Sequence, residues 1–396
     1  MHIDQFVARH RESISIRGEL VRDALEGRLS ETAATGLSQI LADINAAVDH
    51  SGNLHLEIAG RSVATRADYE RTELARDIVL AEQGFDAVIH HITEQDPCVY
   101  AQAVEVAQQL SGRSFIACFT DRDGTVNGYS NRYVSSIQPA YIAVALTRFA
   151  ASVCEHFVIL TAGPLEKPGV LDLSVMPSNT AVYAASKGRQ VVLPDGSRAS
   201  AYLSPERRRA LELLASAISG LYESAEFAPF RYVGSGLQTK FGECSVAYQD
   251  WQSNCPDSVS QTFRTAVKAL IRRLDPTLST FHIEDGGREL DISTLGSGSA
   301  SFDKGSGLRL VVEQAGMRLD GRSVLVCGDT MGDLPMVERV VESGARLVTV
   351  FVTTNDSLKQ RVHDLDAEAL FVDRYESLVL GMYLAVMEET HEYMVV

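Results

Sequence analysis

The chain has 396 residues, long enough for two or three domains and a sizeable core. Its 45% hydrophobic and 22% charged residues are those of an ordinary globular protein, and 36 Lys plus Arg against 52 Asp plus Glu leave a formal charge of -16. That acidity argues against nucleic acid as the main partner and favours a small ligand held with the help of a cation. No stretch approaches the run of about 20 apolar residues that a membrane span needs. The start, MHIDQFVARHRESISIRGEL, lacks the apolar core of a signal peptide. Six cysteines, at 98, 118, 154, 244, 255 and 327, form no CxxC pair and read as reduced thiols. The expectation is a cytoplasmic protein with no membrane contact.

Residues 1–110 read as helical. LSQILADINAAVDHSG places Leu37, Ile40, Leu41 and Ile44 at helical spacing and ends at a Gly stop. RADYERTELARDIVLAEQGFDAVIHHI continues the pattern, and PCVYAQAVEVAQQLSG runs from Pro97 to Gly112. From Arg113 short apolar runs alternate with helical stretches: SFIACFT, AYIAVALTRFAA, HFVILTAG. Strand, helix and strand in that alternation predict a parallel sheet. The same texture returns late in the chain, in KGSGLRLVVEQAG, SVLVCGDT, LPMVERVVESGA, RLVTVFVTT and ALFVD. Between them, GRQVVLPDGSR, YVGSGLQTKFGECSVAYQD and STFHIEDGGRELDI read as antiparallel strands, interleaved with two helices. The predicted fold class is therefore α/β: a Rossmann-like parallel-sheet core over 111–165 and 300–396, split by an α+β insert over 166–299 and preceded by the helical region 1–110.

The chemistry gathers at strand ends. FIACFTDRDGTVNGY ends an apolar run in Asp121 and Asp123, one residue apart. Carboxylates that close repel each other, so a cation, a proton or water must offset the repulsion. A calcium loop starting at Asp121 needs Gly at its sixth position and Glu at its twelfth, where this sequence has Val126 and Arg132. A plain Asp–Gly turn is the bland alternative. Its company argues against it. SVLVCGDTMGDLPM ends a second strand in Asp329 and Asp333, HFVILTAG ends a third in Thr161, and FDKGSGL sets Lys304 at a helix start. Carboxylates, a hydroxyl and an ammonium at four element ends describe a site for a hard, oxygen-liganded cation and a phosphate.

DRDGT, ILTAG, DKGSGL and GDTMGD, in that order, resemble the four motifs of the haloacid dehalogenase superfamily, and the insert resembles its large α+β cap. The resemblance covers about residues 113–390. Within that superfamily, LQTKFGECSVAYQD, GRELDI and FDKGSGLRLVVEQAG are similar to trehalose-6-phosphate phosphatases. The resemblance implies a nucleophile at Asp121 and a general acid and base at Asp123. It implies Mg2+ on Asp121, the backbone carbonyl of Asp123 and Asp329, with Asp333 in support, and Thr161 and Lys304 on the phosphoryl oxygens. Gly124 and Thr125 fit a tight loop whose amides face the anion. The implied reaction is Mg2+-dependent hydrolysis of a sugar phosphate, trehalose 6-phosphate first among them. The alternatives are a sucrose-phosphate type of substrate, a sugar phosphomutase or a catalytically silent sugar-phosphate sensor. Arg122 departs from the apolar or aromatic residue many members carry, and Val126, Asn127 and Gly128 depart from the Leu and Pro usual after DGT.

Other residues keep two readings. Lys167, Lys187 and Lys240 compete with Lys304 for the phosphate. Gln238, Lys240, Glu243 and Glu289, with Glu284 and Arg288, are either sugar contacts or solvated strand positions. Trp251 and Tyr248 either stack on a sugar or pack the cap. GPLEKPG, after Thr161, is the expected hinge into the cap. His90 and His91, adjacent on a helix, lack the spacing of a metal pair. Arg207, Arg208 and Arg209 read as a solvated helix face. The N-terminal helices carry no visible chemistry and leave three roles open: a homo-oligomer contact, a cover for the core, or a surface for a partner.

Overall fold

A computed structural model describes residues 1–294 and 302–392, so the expected boundary between insert and core at 299–300 lies outside the described residues. The chain opens with α1 (Ile3–Leu25) and α2 (Glu31–Asn45), a hairpin of β1 (Leu54–Ile58) and β2 (Arg61–Thr65), then α3 (Asp68–Gln83), α4 (Phe85–Gln95) and α5 (Pro97–Leu110). In α1, Ile3, Phe6, His10, Ser13, Arg17, Leu20 and Val21 are buried at three- and four-residue spacing, one face turned inward. Two features depart from the helical reading. The single run 66–92 is two helices broken at Gly84, and the hairpin is added. Ile58 pairs with Arg61 across a two-residue turn in which Ala59 and Gly60 have φ of 49° and 75°. Two positive φ values suit the tight turns that strand twist favours, but an alanine there is an uncommon choice and hides the turn in the sequence.

The core follows with β3 (Phe115–Thr120), α6 (Ala140–Val153), β4 (Cys154–Leu160), α7 (Val170–Leu173), β5 (Val182–Ala185), β6 (Gln190–Val192) and β7 (Arg198–Ser200). An inserted unit holds α8 (Pro205–Leu221), β8 (Leu237–Lys240), β9 (Glu243–Ala247), α9 (Asp257–Leu274), β10 (Phe281–Asp285) and β11 (Glu289–Thr294). The core resumes with α10 (Lys304–Gln314), β12 (Ser323–Gly328), α11 (Leu334–Glu342), β13 (Arg346–Val352), α12 (Asp356–His363), β14 (Leu370–Val372) and α13 (Tyr375–Glu392). No helix among the described residues is long and apolar enough to cross a membrane.

The eight-stranded sheet runs β14-β13-β12-β3-β4-β5-β6-β7, parallel from β14 to β5 and antiparallel beyond. The α/β fold class expected from the alternation is therefore present. The insert, however, starts later than 166. GRQVVLPDGSR forms β6 and β7 on the edge of the core sheet, and β5 pairs with β4, so GPLEKPG leads to another core strand and the crossing falls after Ser200. The insert is a four-stranded sheet, β10-β11-β9-β8, with its own apolar core of Leu214, Ile218, Phe230, Phe263, Val267 and Ile292 among others.

Each face of the main sheet buries side chains, as continuous apolar strands require. One face packs α10 and α11 through Leu308, Val311, Met336 and Val337. The other is continuous with the N-terminal helices: Phe6, Leu20, Val106 and Leu110 share a core with Phe115, Phe149 and Leu378. Ion pairs run through this second layer. Arg17 Nε meets Asp77 Oδ2 at 2.6 Å, and Arg76 Nη1 lies 2.6 Å from Glu73 and 3.0 Å from Glu376, all buried.

His10 sits in the same layer, its Nδ1 2.8 Å from the Phe6 carbonyl and its Nε2 without a partner among the described residues. Burial pushes this imidazole down to about 4. The unfolded chain takes up the proton near ~6.5. Acid therefore protonates the unfolded state first, and stability falls as pH drops from about 6.5 towards 4, by about 3 kcal/mol across that window. The gap in unfolding free energy between wild type and His10→Gln, read from urea titrations, is expected to shrink between pH 7 and pH 4.5. A gap independent of pH would refute it.

Candidate active site

The chain runs from β3 outward through β4 and β5, then returns to place β12 on the other side of β3. Strand order reverses between β3 and β12, and crevices at the carboxyl ends of such a pair bind ligands in open α/β sheets. Asp121 follows β3 directly and its amide donates to the Cys327 carbonyl of β12 at 3.0 Å, which ties the two strand ends together. Asp329 follows β12, Thr161 follows β4, and Lys304 is the first residue of α10. All four line one cavity of about 560 Å3, together with Asp123.

Carboxylate oxygens of Asp121, Asp329 and Asp333 lie within 4.8 Å of one another. Lys304 Nζ contacts both Asp121 Oδ1 and Asp333 Oδ1 at 2.5 Å. One ammonium does not satisfy three crowded acids, two of them buried, and their proton affinities show it. Burial pushes Asp333 up, but Lys304 and the amides of Thr330 and Asp329 outweigh it and hold the carboxyl below its usual range. Asp121 is pushed up to about 6 by burial, with Asp333 and Asp123 adding to the rise against the pull of Lys304. Asp329 is pushed up to about 9 by burial and by its two acidic neighbours. An all-oxygen donor set carrying unbalanced negative charge fits a hard divalent cation such as Mg2+.

Asp123 stands apart from that trio. Its Oδ1 accepts from Ser136 Oγ at 3.1 Å and pairs with Arg122, which also donates to the Ser136 carbonyl. Arg122 is thus buried against the neighbouring carboxylate rather than directed to solvent. Gly124 and Thr125 do not turn their amides to a ligand. Gly124 N donates to the Asn127 carbonyl at 2.7 Å and Thr125 N to Arg122 at 3.3 Å, closing the loop on itself. Gly124 has φ +92°, and a Cβ there would strike the Asp329 carboxylate. Thr125 Oγ1 donates to Asp329 Oδ1 at 3.2 Å.

From the insert, Gln238, Lys240, Arg288 and Glu289 line the cavity. Glu243 lies behind it, engaged by Lys187 at 2.8 Å and Lys240 at 3.4 Å. Glu284 faces His282, and Tyr248 Oη donates to Asp285, so neither lines the cavity. Of the competing lysines, Lys187 reaches the cavity edge and Lys167 does not line it. Sequence reasoning missed Tyr129, Tyr133 and Ser136. Tyr129 Oη donates to Asp329 Oδ2 at 2.6 Å while its ring stacks on Trp251 at 4.0 Å. Tyr133 Oη is buried with no partner among the described residues, and burial pushes its phenol above the ordinary range. The two tyrosines of NGYSNRYVSS after DGT were the available signal, but the partners of Tyr129 lie far off in the chain.

A parallel core with an aspartate after its central strand, a second acidic strand end beside it and an inserted α+β unit defines a domain of the haloacid dehalogenase type. More narrowly, the chain belongs to the trehalose-6-phosphate phosphatase C-terminal family, whose model matches residues 118–376. It is 35% identical over 296 residues to an alpha,alpha-trehalose-phosphate synthase [UDP-forming] 2 of Aphelenchoides avenae, covering 73% of this chain and 23% of that protein. It is 34% identical over 279 residues to a trehalose-phosphatase of Brugia malayi, covering 68% of this chain and 55% of the relative. The chain thus spans about a quarter of the synthases and little more than half of the phosphatase. The C-terminal domain of C. albicans trehalose-6-phosphate phosphatase superposes with a TM-score of 0.47 at 11% identity, over 73% of this chain and 97% of that domain.

Because Asp329 retains its proton to about pH 9 without a cation, binding of a divalent cation is expected to release a proton and to tighten as pH rises from 6 to 8. Calorimetric Mg2+ titrations in buffers of different ionisation enthalpy count that proton. Asp329→Asn is expected to abolish both the binding and the release, and binding unaffected by it would place the cation elsewhere.

Proposed function

We propose that the protein is a Mg2+-dependent phosphomonoesterase that removes the phosphoryl group from a sugar phosphate, trehalose 6-phosphate being the substrate that the family points to. The observation that carries this reading is the meeting of Asp121, Asp329 and Asp333 around Lys304 at the point where strand order reverses. Asp121 is the nucleophile. One of its oxygens bonds to phosphorus as the bond to the sugar oxygen breaks, which divides one difficult transfer into two easier ones. Asp123 gives the departing sugar oxygen its proton, then takes one from the water that attacks phosphorus, freeing phosphate and restoring Asp121. Arg122 and Ser136 hold Asp123 in place for both proton movements.

Thr161 Oγ1, which lines the cavity and accepts from the Gly163 amide at 3.0 Å, keeps its own proton to donate to a phosphoryl oxygen. Lys304 supplies positive charge on the other side, where charge spreads over the phosphoryl oxygens during transfer. Mg2+, held by Asp121 and Asp329 with Asp333 behind them, would offset carboxylate repulsion and polarise the phosphoryl group. Gln238, Lys240, Arg288 and Glu289 face the sugar from the cap, with hydroxyl-binding groups of both signs. A cavity of about 560 Å3 is the size of a small-molecule site.

Phosphate release from a panel of sugar phosphates, with Mg2+ and with chelator, tests the reading. Trehalose 6-phosphate is expected to turn over fastest, with Asp121→Asn lowering kcat at least about 10³-fold, as loss of an activated nucleophile does. A peak on another sugar phosphate would move the substrate and keep the reaction. Turnover that needs a bisphosphate activator would favour a phosphomutase, and binding without turnover a sensor.

A further inference from the structure

One short segment, residues 128–136, touches all three parts of the molecule. Towards the N-terminal region, Arg132 is buried and its guanidinium donates to Thr65 Oγ1 at 2.8 Å, to the Arg66 carbonyl at 2.5 Å and to Glu70 Oε1 at 3.1 Å. The same guanidinium lies 4.9 Å from the Phe6 ring. Ser135 Oγ donates to Glu70 Oε1 at 2.6 Å, and Ser130 Oγ contacts it at 3.3 Å. Gly128 is pressed between Tyr69 and Tyr375, where a Cβ would come within 2.9 Å of both rings.

Towards the catalytic aspartates, Ser136 Oγ holds Asp123 and Tyr129 Oη holds Asp329. Towards the inserted unit, Tyr133 N donates to the Gly234 carbonyl and Gly234 N to the Asn131 carbonyl, each at 2.9 Å. Asn131 Nδ2 donates to Gln252 at 2.7 Å, and Tyr129 stacks on Trp251. The segment's own regular structure is a single 3-10 turn, Tyr133–Ser135, too little to fix its shape. Its conformation is set by what it is tied to, and the most buried tie is the one between Arg132 and Glu70.

We propose that Arg132 and Glu70 are positioning residues. Their buried pair anchors the strap 128–136, and through it the N-terminal region sets Asp123, Asp329 and the inserted cap in one working arrangement. Residues 1–110 are then part of the catalytic unit rather than a separate module. The proposal rests on the phosphatase reading for its kinetic consequence but not for its structural one. A buried pair suits this role because, once desolvated, it tolerates little displacement.

The test replaces both members with apolar residues, Arg132→Met with Glu70→Leu, so that no charge is left buried alone. Far-UV circular dichroism and thermal melting report the fold. Trp251 is the chain's single tryptophan, so its emission reports the stack on Tyr129 without interference. The double variant is expected to fold, to shift Trp251 emission to longer wavelength, and to lose about tenfold to about 100-fold in kcat/KM for the sugar phosphate, the scale of a misplaced catalytic group. Should the double variant fail to fold, Asn131→Ala removes the strap's side-chain bond to Gln252, next to Trp251, without touching the buried pair, and a smaller emission shift of the same sign is expected. Folded variants with wild-type emission and wild-type kcat/KM would overturn the proposal. Emission needs no substrate, so an unchanged emission maximum overturns it even if the enzyme turns over no sugar phosphate at all.

Discussion

Lys304 is asked to neutralise Asp121 and Asp333 at once, while Asp329 shares the same few ångströms. Burying like charges this close is unfavourable in the bare protein, and the fold tolerates it because each acid is anchored to backbone that has its own reasons to be there. Asp121 is fixed by its amide to the end of β12, and Asp333 by amides of the turn before α11. On the proposed reading, the charge imbalance left over favours a divalent cation and a dianionic phosphate: one would satisfy the acids, and the other would meet the cation and Lys304. The rest of the structure can be read as keeping that imbalance dry and in register.

The sheet does the first part. Six parallel strands, with helices on both faces, bring three strand ends together at one edge, so the site is built on rigid elements and only its rim on loops. Parallel strands buried on both faces read as unbroken apolar runs, which is why FIACFT, HFVIL and SVLVCG identified both the sheet and the acids behind it. What a run of apolar residues does not encode is the edge. GRQVV and the strand after it read as insert yet belong to the core, because antiparallel pairing on an existing edge and in a new sheet use the same alternating pattern. Ala59 hid the β1–β2 hairpin for a different reason, since the backbone conformation the turn needs is one that sequence assigns to Gly or Asn.

The strap illustrates a third limit. Tyr129, Asn131, Arg132 and Ser135 have no periodicity, and each takes its meaning from a distant partner: Glu70 before it in the chain, Trp251, Gln252 and Asp329 after it. A motif carries information when the chemistry sits in neighbouring residues, as in DRDGT. It carries none when the chemistry is shared between a loop and two other units. Arg122 shows both sides of this. Its position between two aspartates was visible, while its burial against Ser136 was not, because Ser136 lies 14 residues on.

A large insert covering a reactive centre creates a mechanical problem: it must meet the core in one orientation for chemistry, yet it is joined to the core by only two crossings. Interfaces between such units are usually polar and adjustable. Here the insert's polar contacts with the strap lie a few residues from the strap's buried tie to the N-terminal layer. The N-terminal helices, in turn, share their apolar core with the main sheet and so cannot shift without disturbing it. On the proposal above, the Arg132 guanidinium links the N-terminal packing to the insert's polar contacts with the strap. Placing that anchor outside the cavity leaves the cavity wall free to carry polar groups of both signs, Lys240, Arg288 and Glu289.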